Sequence, residues 1–98
     1  MSEQKSYLMI CYDIADDKRL YKINKLLSNY ATRVLYSVFE GELTYEEEEH
    51  LKKEIRNIID FLDDNVRFYH LCNRCKKRIK TLGKKVAPTR TDIKVKII

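Results

Sequence analysis

The first hydrophobic segment, residues 7–13, is an almost unbroken apolar run that ends in an aspartate. Such runs, when they are rich in strand formers, are typical of a central strand buried on both faces of a sheet. Apolar residues then recur at helical spacing, at Leu20, Ile23, Leu27 and Tyr30. We therefore expect a strand followed at once by a first helix, with Asp16 or Asp17 as its N-cap.

The middle of the chain predicts further strand and a second helix. Residues 33–41 are strand-like, and the pattern fits either one long strand or a tight hairpin bent near Tyr36 and Ser37. A capping box from Thr44 to Glu47 indicates the start of the second helix, so the acidic run there favours a helix start over a metal site. The apolar stripe predicted for this helix comprises Leu51, Ile55, Ile58, Ile59 and Leu62.

Two more alternating segments follow, at residues 66–71 and 92–98, and each predicts a strand. Between them, we expect Asn73 to cap a short helical turn that reaches Leu82. The predicted elements follow in the order strand, helix, one or two strands, helix and strand. This is the order of an α+β ferredoxin-like sandwich, βαββαβ, here with an extra C-terminal strand. We expect a single domain over residues 1–98, in which residues from about 83 to 98 form a basic extension.

Two helices cover only one face of such a sheet, so the other face needs a cover. The economical solution is a second copy of the chain, packed sheet against sheet. The last strand, at residues 92–98, then completes the sheet of the partner. The pattern therefore predicts a homodimer with two-fold symmetry.

The net charge of +5 is unevenly distributed. Up to Asn73 there are 10 Lys and Arg against 14 Asp and Glu, whereas from Arg74 onward there are 10 against 1. A basic block of this density favours a polyanion, although a solvated lysine-rich surface is the alternative. The apolar share of 44% and the polar N-terminus predict a cytoplasmic chain with no membrane segment. The number of cysteines, three, is odd, which predicts reduced thiols.

Asp13 is the strongest candidate for chemistry, because a carboxylate at the end of a buried strand is held in place and still reachable. Magnesium is usually bound by one or two carboxylates together with phosphate oxygens of the substrate. One aspartate per chain therefore suffices only if a two-fold axis brings both copies of Asp13 together around one ion, which would activate water against a phosphodiester. The alternative is that Asp13 only caps the first helix.

A second candidate comprises His70, Cys72 and Cys75, three soft or borderline ligands within six residues. Zinc prefers four ligands, so one Cys-x-x-Cys without a second half is weak evidence for a zinc site. Thioredoxin-like pairs follow the first strand, whereas this pair lies near the end of the predicted domain. We favour the interpretation of two small cysteines beside a turn, with His70 a strand residue.

Three segments give the chain a resemblance to a known family: Tyr12-Asp13-Ile14 with the following Asp16-Asp17-Lys18-Arg19, the segment from Arg33 to Gly41, and Leu71-Cys72-Asn73-Arg74-Cys75. The chain resembles the small CRISPR-associated Cas2 proteins over nearly its whole length. The resemblance implies a ferredoxin-like dimer that joins the Cas1 integrase during spacer acquisition. It also implies a metal-dependent endonuclease that acts on RNA or DNA.

By the same resemblance, Asp13 matches the catalytic, metal-binding aspartate. Arg19, Arg33 and Phe39 match residues expected to contact nucleic acid, the arginines at phosphate and Phe39 at a base unless it packs in the core. Leu35 stands where the family commonly has glutamine. We thus expect a magnesium-dependent endonuclease, either an endoribonuclease of single-stranded RNA or a DNase, that binds RNA, double-stranded DNA or both. The alternatives are a non-catalytic DNA scaffold in the adaptation complex and a small-ligand regulatory module of ferredoxin-like type.

Overall fold

The computed structural model describes residues 4–83. The predicted strand at residues 92–98, and with it most of the basic extension, lies outside the described residues. Seven elements follow in order: β1 (Lys5–Asp13), α1 (Asp17–Ser28), β2 (Thr32–Leu35), β3 (Val38–Thr44), α2 (Tyr45–Arg56), β4 (Asn65–Leu71) and α3 (Asn73–Lys77). Within residues 4–83 no helix is both long and apolar enough to cross a bilayer.

The four strands form one antiparallel sheet in the order β2-β3-β1-β4. The two interpretations of residues 33–41 are thereby resolved, because β2 and β3 are separate strands joined by a turn at Tyr36 and Ser37. The register shifts between Arg33 and Leu35, which marks a bulge beside this turn. Element order and strand order together confirm the ferredoxin-like α+β fold.

The hydrophobic core lies between the sheet and the two long helices. Burial alternates along β1, so that Leu8, Ile10 and Tyr12 face the helices. The other core residues are Ile23, Leu27, Phe39, Leu43, Leu51 and Ile55. Each buried leucine or isoleucine contributes about 1.5–3 kcal/mol from its removal from water, so this layer is the main source of stability in the described part of the chain.

The starts of the two long helices agree with the sequence pattern. Asp16 caps α1 and Thr44 closes the predicted capping box at α2. However, α2 ends at Arg56, so the predicted stripe was too long: Leu62 is 93% exposed. The cap of the short α3 was also predicted wrongly, since Cys72 and not Asn73 is the N-cap.

The second face of the sheet is not covered by either long helix. We call it the open face; it comprises the side chains that alternate with the core residues, including Met9, Cys11 and Asp13 of β1 with their cross-strand neighbours. Among the described residues of one chain β1 is therefore buried on one face, and burial of its second face stays a prediction that depends on the homodimer. This face positions the candidate site.

Candidate nucleic-acid and metal site

Asp13 is the last residue of β1 and lies exposed at the edge of the open face. Its strand neighbour on β4 is Asn65. Within residues 4–83 its carboxylate accepts no hydrogen bond, and the N-cap of α1 is Asp16, whose side chain accepts from Arg19 N at 3.0 Å. Asp13 is therefore not the helix cap. Its carboxylate oxygens have no other hydrogen-bond role within this part of the chain.

A second carboxylate, Asp64, lies just before β4 and has the opposite environment. Its side chain is fully buried and forms a bidentate pair with Arg19, at 2.7 Å from Nε and 3.1 Å from Nη2. It also accepts hydrogen bonds from the backbone N–H groups of Ala15 and Asp60, at 2.9 and 2.8 Å. Asp64 thus ties the loop after Asp13 to the start of β4.

These contacts set the ionisation of the pair. The hydrogen bonds from Arg19 lower the pKa of Asp64 well below its ordinary range, although burial opposes them, and the two backbone N–H groups lower it further. The same pairing raises the pKa of Arg19. Because its guanidinium is held by Asp64, Arg19 positions this loop. A phosphate contact at Arg19 stays a prediction.

Arg33 lies on the helix-covered face, opposite Phe39 in the β2–β3 register. It is buried, and its Nη2 donates a hydrogen bond to the carbonyl oxygen of Tyr36 at 3.1 Å while the Tyr36 ring lies 5.3 Å from the guanidinium carbon. Asp13 is on the other face of the sheet. The structure therefore does not bring Arg33 together with Asp13; Arg33 braces the β2–β3 turn.

Phe39 belongs to the core. It is 2% exposed and its ring centroid lies 6.1 Å from that of Tyr12. A base needs a free ring face to stack on, so the structure favours the second of the two stated roles of Phe39, packing in the core. Leu35, which replaces the family glutamine, is 60% exposed at the end of β2, so packing does not require leucine there.

Three residues that sequence analysis missed surround Asp13. A shallow cleft of about 360 Å³ on the open face is lined by Cys11, Tyr12, Asp13, Asn65, Arg67 and Tyr69. Within the described residues the Arg67 guanidinium contacts only neutral groups, Asn65 Oδ1 and the Tyr69 hydroxyl, each at 3.3 Å. The alternation along residues 66–71 was the one available signal, because it places Arg67 and Tyr69 together on one face.

The cleft provides oxygen ligands of the kind that magnesium prefers, namely an exposed carboxylate and an amide oxygen. One chain is not enough, because no group of three or more His, Cys, Asp or Glu residues able to hold a metal occurs within residues 4–83. The donor set at Asp13 therefore fits magnesium only when a second carboxylate comes from another chain or when substrate oxygens complete the site.

The alternative metal site at His70 is not assembled. His70 Nε2 lies 3.0 Å from Glu48 Oε2 on α2, and Lys52 lies 2.9 Å from the same carboxylate oxygen. Burial alone would raise the pKa of Glu48, but the hydrogen bonds from Lys52 and His70 lower it below its ordinary value. His70 is therefore engaged by α2, while Cys72 and Cys75 lie together at the start of α3.

Comparison with known proteins agrees with this architecture. A family model described as CRISPR associated protein Cas2 matches residues 6–79. The chain is 40% identical over 78 residues to the CRISPR-associated endoribonuclease Cas2 1 of Chloroflexus aurantiacus, covering 79% of this chain and 84% of that protein.

Solved structures give the same result. The crystal structure of Streptococcus pyogenes Cas2 at pH 6.5 superposes with a TM-score of 0.71 and 35% identity, over 79% of this chain and 99% of that one. A chain of a partial Cas6-RT-Cas1–Cas2 complex superposes with a TM-score of 0.70 and 32% identity, over 79% and 84%. Sequence and structure together show that the chain belongs to the CRISPR-associated Cas2 family.

Proposed function

We propose that this chain is a magnesium-dependent endonuclease of CRISPR spacer acquisition, acting on RNA or DNA as a homodimer. One observation supports it above the others: the exposed carboxylate of Asp13, which has no hydrogen-bond partner among the described residues, stands in a cleft on the open face. The relatives named as Cas2 endoribonucleases support the same reaction class. The reaction is hydrolysis of a phosphodiester.

The homodimer follows from the open face. Asp13, Met9 and Cys11 share this face, and neither long helix covers it in one chain. A second copy packed on it would bury the apolar side chains and bring a second Asp13 to the same region. Two carboxylates from two chains then make the set of one or two that magnesium prefers.

The protein's own groups bind and orient the substrate in this proposal. Asp13 would hold Mg²⁺, which when bound makes water more acidic and offsets phosphate charge. Arg67 lies in the same cleft with only neutral partners, so its guanidinium is suited to a phosphate oxygen. Tyr69, which is 42% exposed, presents a ring beside it that a base could stack on.

The test is cleavage by the purified full chain of labelled single-stranded RNA and of duplex DNA, with Mg²⁺ and with a chelator. Asp13→Asn keeps the size of the side chain and removes the charge that would hold the ion. We expect cleavage to fall at least about 100-fold in Asp13→Asn, to an extent matched by chelation of the wild type.

Asp63→Asn is the matched control, because Asp63 is an exposed aspartate in the loop before β4 and outside the cleft. We expect this variant to cleave like the wild type. Equal dimer mass and thermal unfolding of the three proteins must be verified first. Metal-dependent cleavage by folded Asp13→Asn at the wild-type rate would exclude Asp13 as the catalytic ligand.

The second candidate function is a non-catalytic scaffold that binds nucleic acid and the Cas1 integrase. The solved neighbour in a Cas1–Cas2 complex favours it, as does the excess of 10 cationic over 1 acidic residue from Arg74 onward. In that case neither wild type nor Asp13→Asn cleaves, while both bind duplex DNA with a steep dependence on salt. The cleavage and binding measurements together therefore separate the two functions.

A further inference from the structure

Two cysteines lie in contact where β4 ends and α3 begins. The Sγ atoms of Cys72 and Cys75 are 3.4 Å apart, and the backbone N–H of Cys75 donates to Cys72 Sγ at 3.4 Å. Both residues are exposed. The third cysteine, Cys11, is half-buried on the open face and contacts no thiol among residues 4–83. The pair is therefore a reachable dithiol, and the proposed nuclease chemistry does not use it.

We propose that Cys72 and Cys75 form a reversible intramolecular disulfide by exchange with a low-molecular-weight disulfide such as oxidised glutathione. A protein disulfide requires an S–S distance near 2.05 Å, so the two sulfur atoms must approach each other by about 1.4 Å from their present contact. The two cysteines are three residues apart at the start of α3, so we expect rotation about side-chain bonds to supply this movement. No rearrangement of the sheet is needed.

The exchange has two steps. The Cys72 thiolate attacks one sulfur of glutathione disulfide, forms a mixed disulfide and releases one glutathione thiolate, which takes up a proton. Cys75 then loses its proton to solvent, and its sulfur attacks Cys72 Sγ and expels the second glutathione. The pair loses two electrons and two protons in all, and one glutathione disulfide becomes two thiols.

The environment distinguishes the two sulfur atoms. The hydrogen bond from the backbone N–H of Cys75, with the contact of its thiol, lowers the pKa of Cys72, whereas the contact with Cys72 raises the pKa of Cys75. The thiolate is the attacking species in exchange. Cys72 is therefore the attacking sulfur and Cys75 the resolving one.

Oxidation would also act on the open face. The backbone N–H of Lys76 donates to the carbonyl oxygen of Cys72 at 2.9 Å. The Lys76 side chain lies 4.7 Å from the centre of the Tyr7 ring and pairs with Glu42, and both residues belong to the open face. A disulfide would thus fix the turn that positions Lys76 over the end of this face.

In the experiment, the full chain is equilibrated in glutathione buffers that range from fully reduced to fully oxidised. The samples are then quenched with acid and alkylated, and mass spectrometry of the intact chain and of its peptides measures which thiols remain reactive. We expect Cys72 and Cys75 to lose reactivity together, at one midpoint and without change in the oligomer, and the intact mass to fall by about two hydrogens. Cys11→Ser should behave in the same way.

Single variants test the order of attack. Cys75→Ser should stop at a glutathione adduct on Cys72, and Cys72→Ser should give several-fold less adduct on Cys75. Since both side chains are exposed, serine should leave the fold intact, as circular dichroism will verify. The Cys11→Ser chain in oxidised glutathione is the matched control that keeps the pair.

Four results would overturn the proposal. In the first, Cys72 and Cys75 lose their thiol reactivity at different midpoints. In the second, both thiols stay alkylatable in a buffer that oxidises a reference dithiol peptide. In the third, the oxidised product is a disulfide between chains. Protection of both thiols by stoichiometric zinc in the reduced chain, with no disulfide in metal-free oxidised buffer, would assign the pair to metal binding and would equally overturn it.

Discussion

Two aspartates near the same end of the sheet have opposite environments. Asp13 closes β1 and is exposed, and no side chain or backbone donor among the described residues binds its carboxylate. Asp64 is one residue before Asn65, the strand neighbour of Asp13, and its buried carboxylate accepts four hydrogen bonds. The same side chain thus has two uses a short distance apart in the fold.

The difference shows how one carboxylate holds another in place. Asp64 fixes Ala15, two residues after Asp13, and anchors Arg19 in the first turns of α1. A buried charge is stable only when it is paired and hydrogen-bonded, so Asp64 has no capacity left for a ligand. Asp13 pays no burial penalty and keeps all its oxygen lone pairs for one.

Removing the buried charge should have the largest effect. In Asp64→Asn the Arg19 guanidinium loses its ionic partner, and an amide NH₂ group faces backbone or guanidinium donors. We expect Tm to fall on the order of 10 °C, whereas Asp13→Asn should move Tm by less than about 2 °C because its side chain is exposed. Scanning calorimetry of both variants measures this difference, and equal shifts would contradict it.

Acid should reduce the difference in Tm between the wild type and Asp64→Asn. The folded-state pKa of Asp64 is depressed from an ordinary value of 3.8, so its ionisation stabilises the fold fully above that value, and this stabilisation is lost as the pH falls through the depressed pKa. The Tm gap between wild type and Asp64→Asn should be constant from neutral pH to about pH 5 and should narrow below about pH 4.

Thermal unfolding at intervals from pH 7 to pH 2 tests this, with Asp63→Asn as the control whose gap should stay small throughout. A gap that widens in acid would mean that Asp64 is protonated in the folded chain. That result would remove the contrast between the two aspartates.

Local features of this fold were predictable from sequence. The caps at Asp16 and Thr44 depend on side chains within three residues of the groups they bind, so the pattern reveals them. The alternating and periodic segments likewise gave the order of strands and helices. The end of α2 was not predictable in this way, because apolar residues continue at helical spacing to Leu62 although the helix ends at Arg56, with Asn57 as its C-cap.

The candidate site was predictable only at Asp13. Nothing local in the sequence marks the role of Asp64, since its partner Arg19 is 45 residues away and no periodicity links them. The family resemblance located Arg19, Arg33 and Phe39, but a matched motif does not reveal which face of the sheet a side chain lies on. That depends on cross-strand register, which pairs Arg33 with Phe39 on the helix side and Cys11 with Arg67 on the open face.

The smallest expected effect separates two arginines. Arg67 has only neutral partners within the described residues, whereas Arg19 is neutralised by Asp64. If Arg67 binds a phosphate, Arg67→Gln should weaken duplex DNA binding about 3- to 10-fold and reduce the slope of log affinity against log salt by about one. Arg19→Gln should lower Tm and leave that slope unchanged, because a cation already paired with a buried carboxylate releases no further counterion.

Fluorescence anisotropy over a salt series measures both slopes. An unchanged slope in Arg67→Gln with a reduced one in Arg19→Gln would show that the paired arginine, and not the one beside Asp13, faces the nucleic acid.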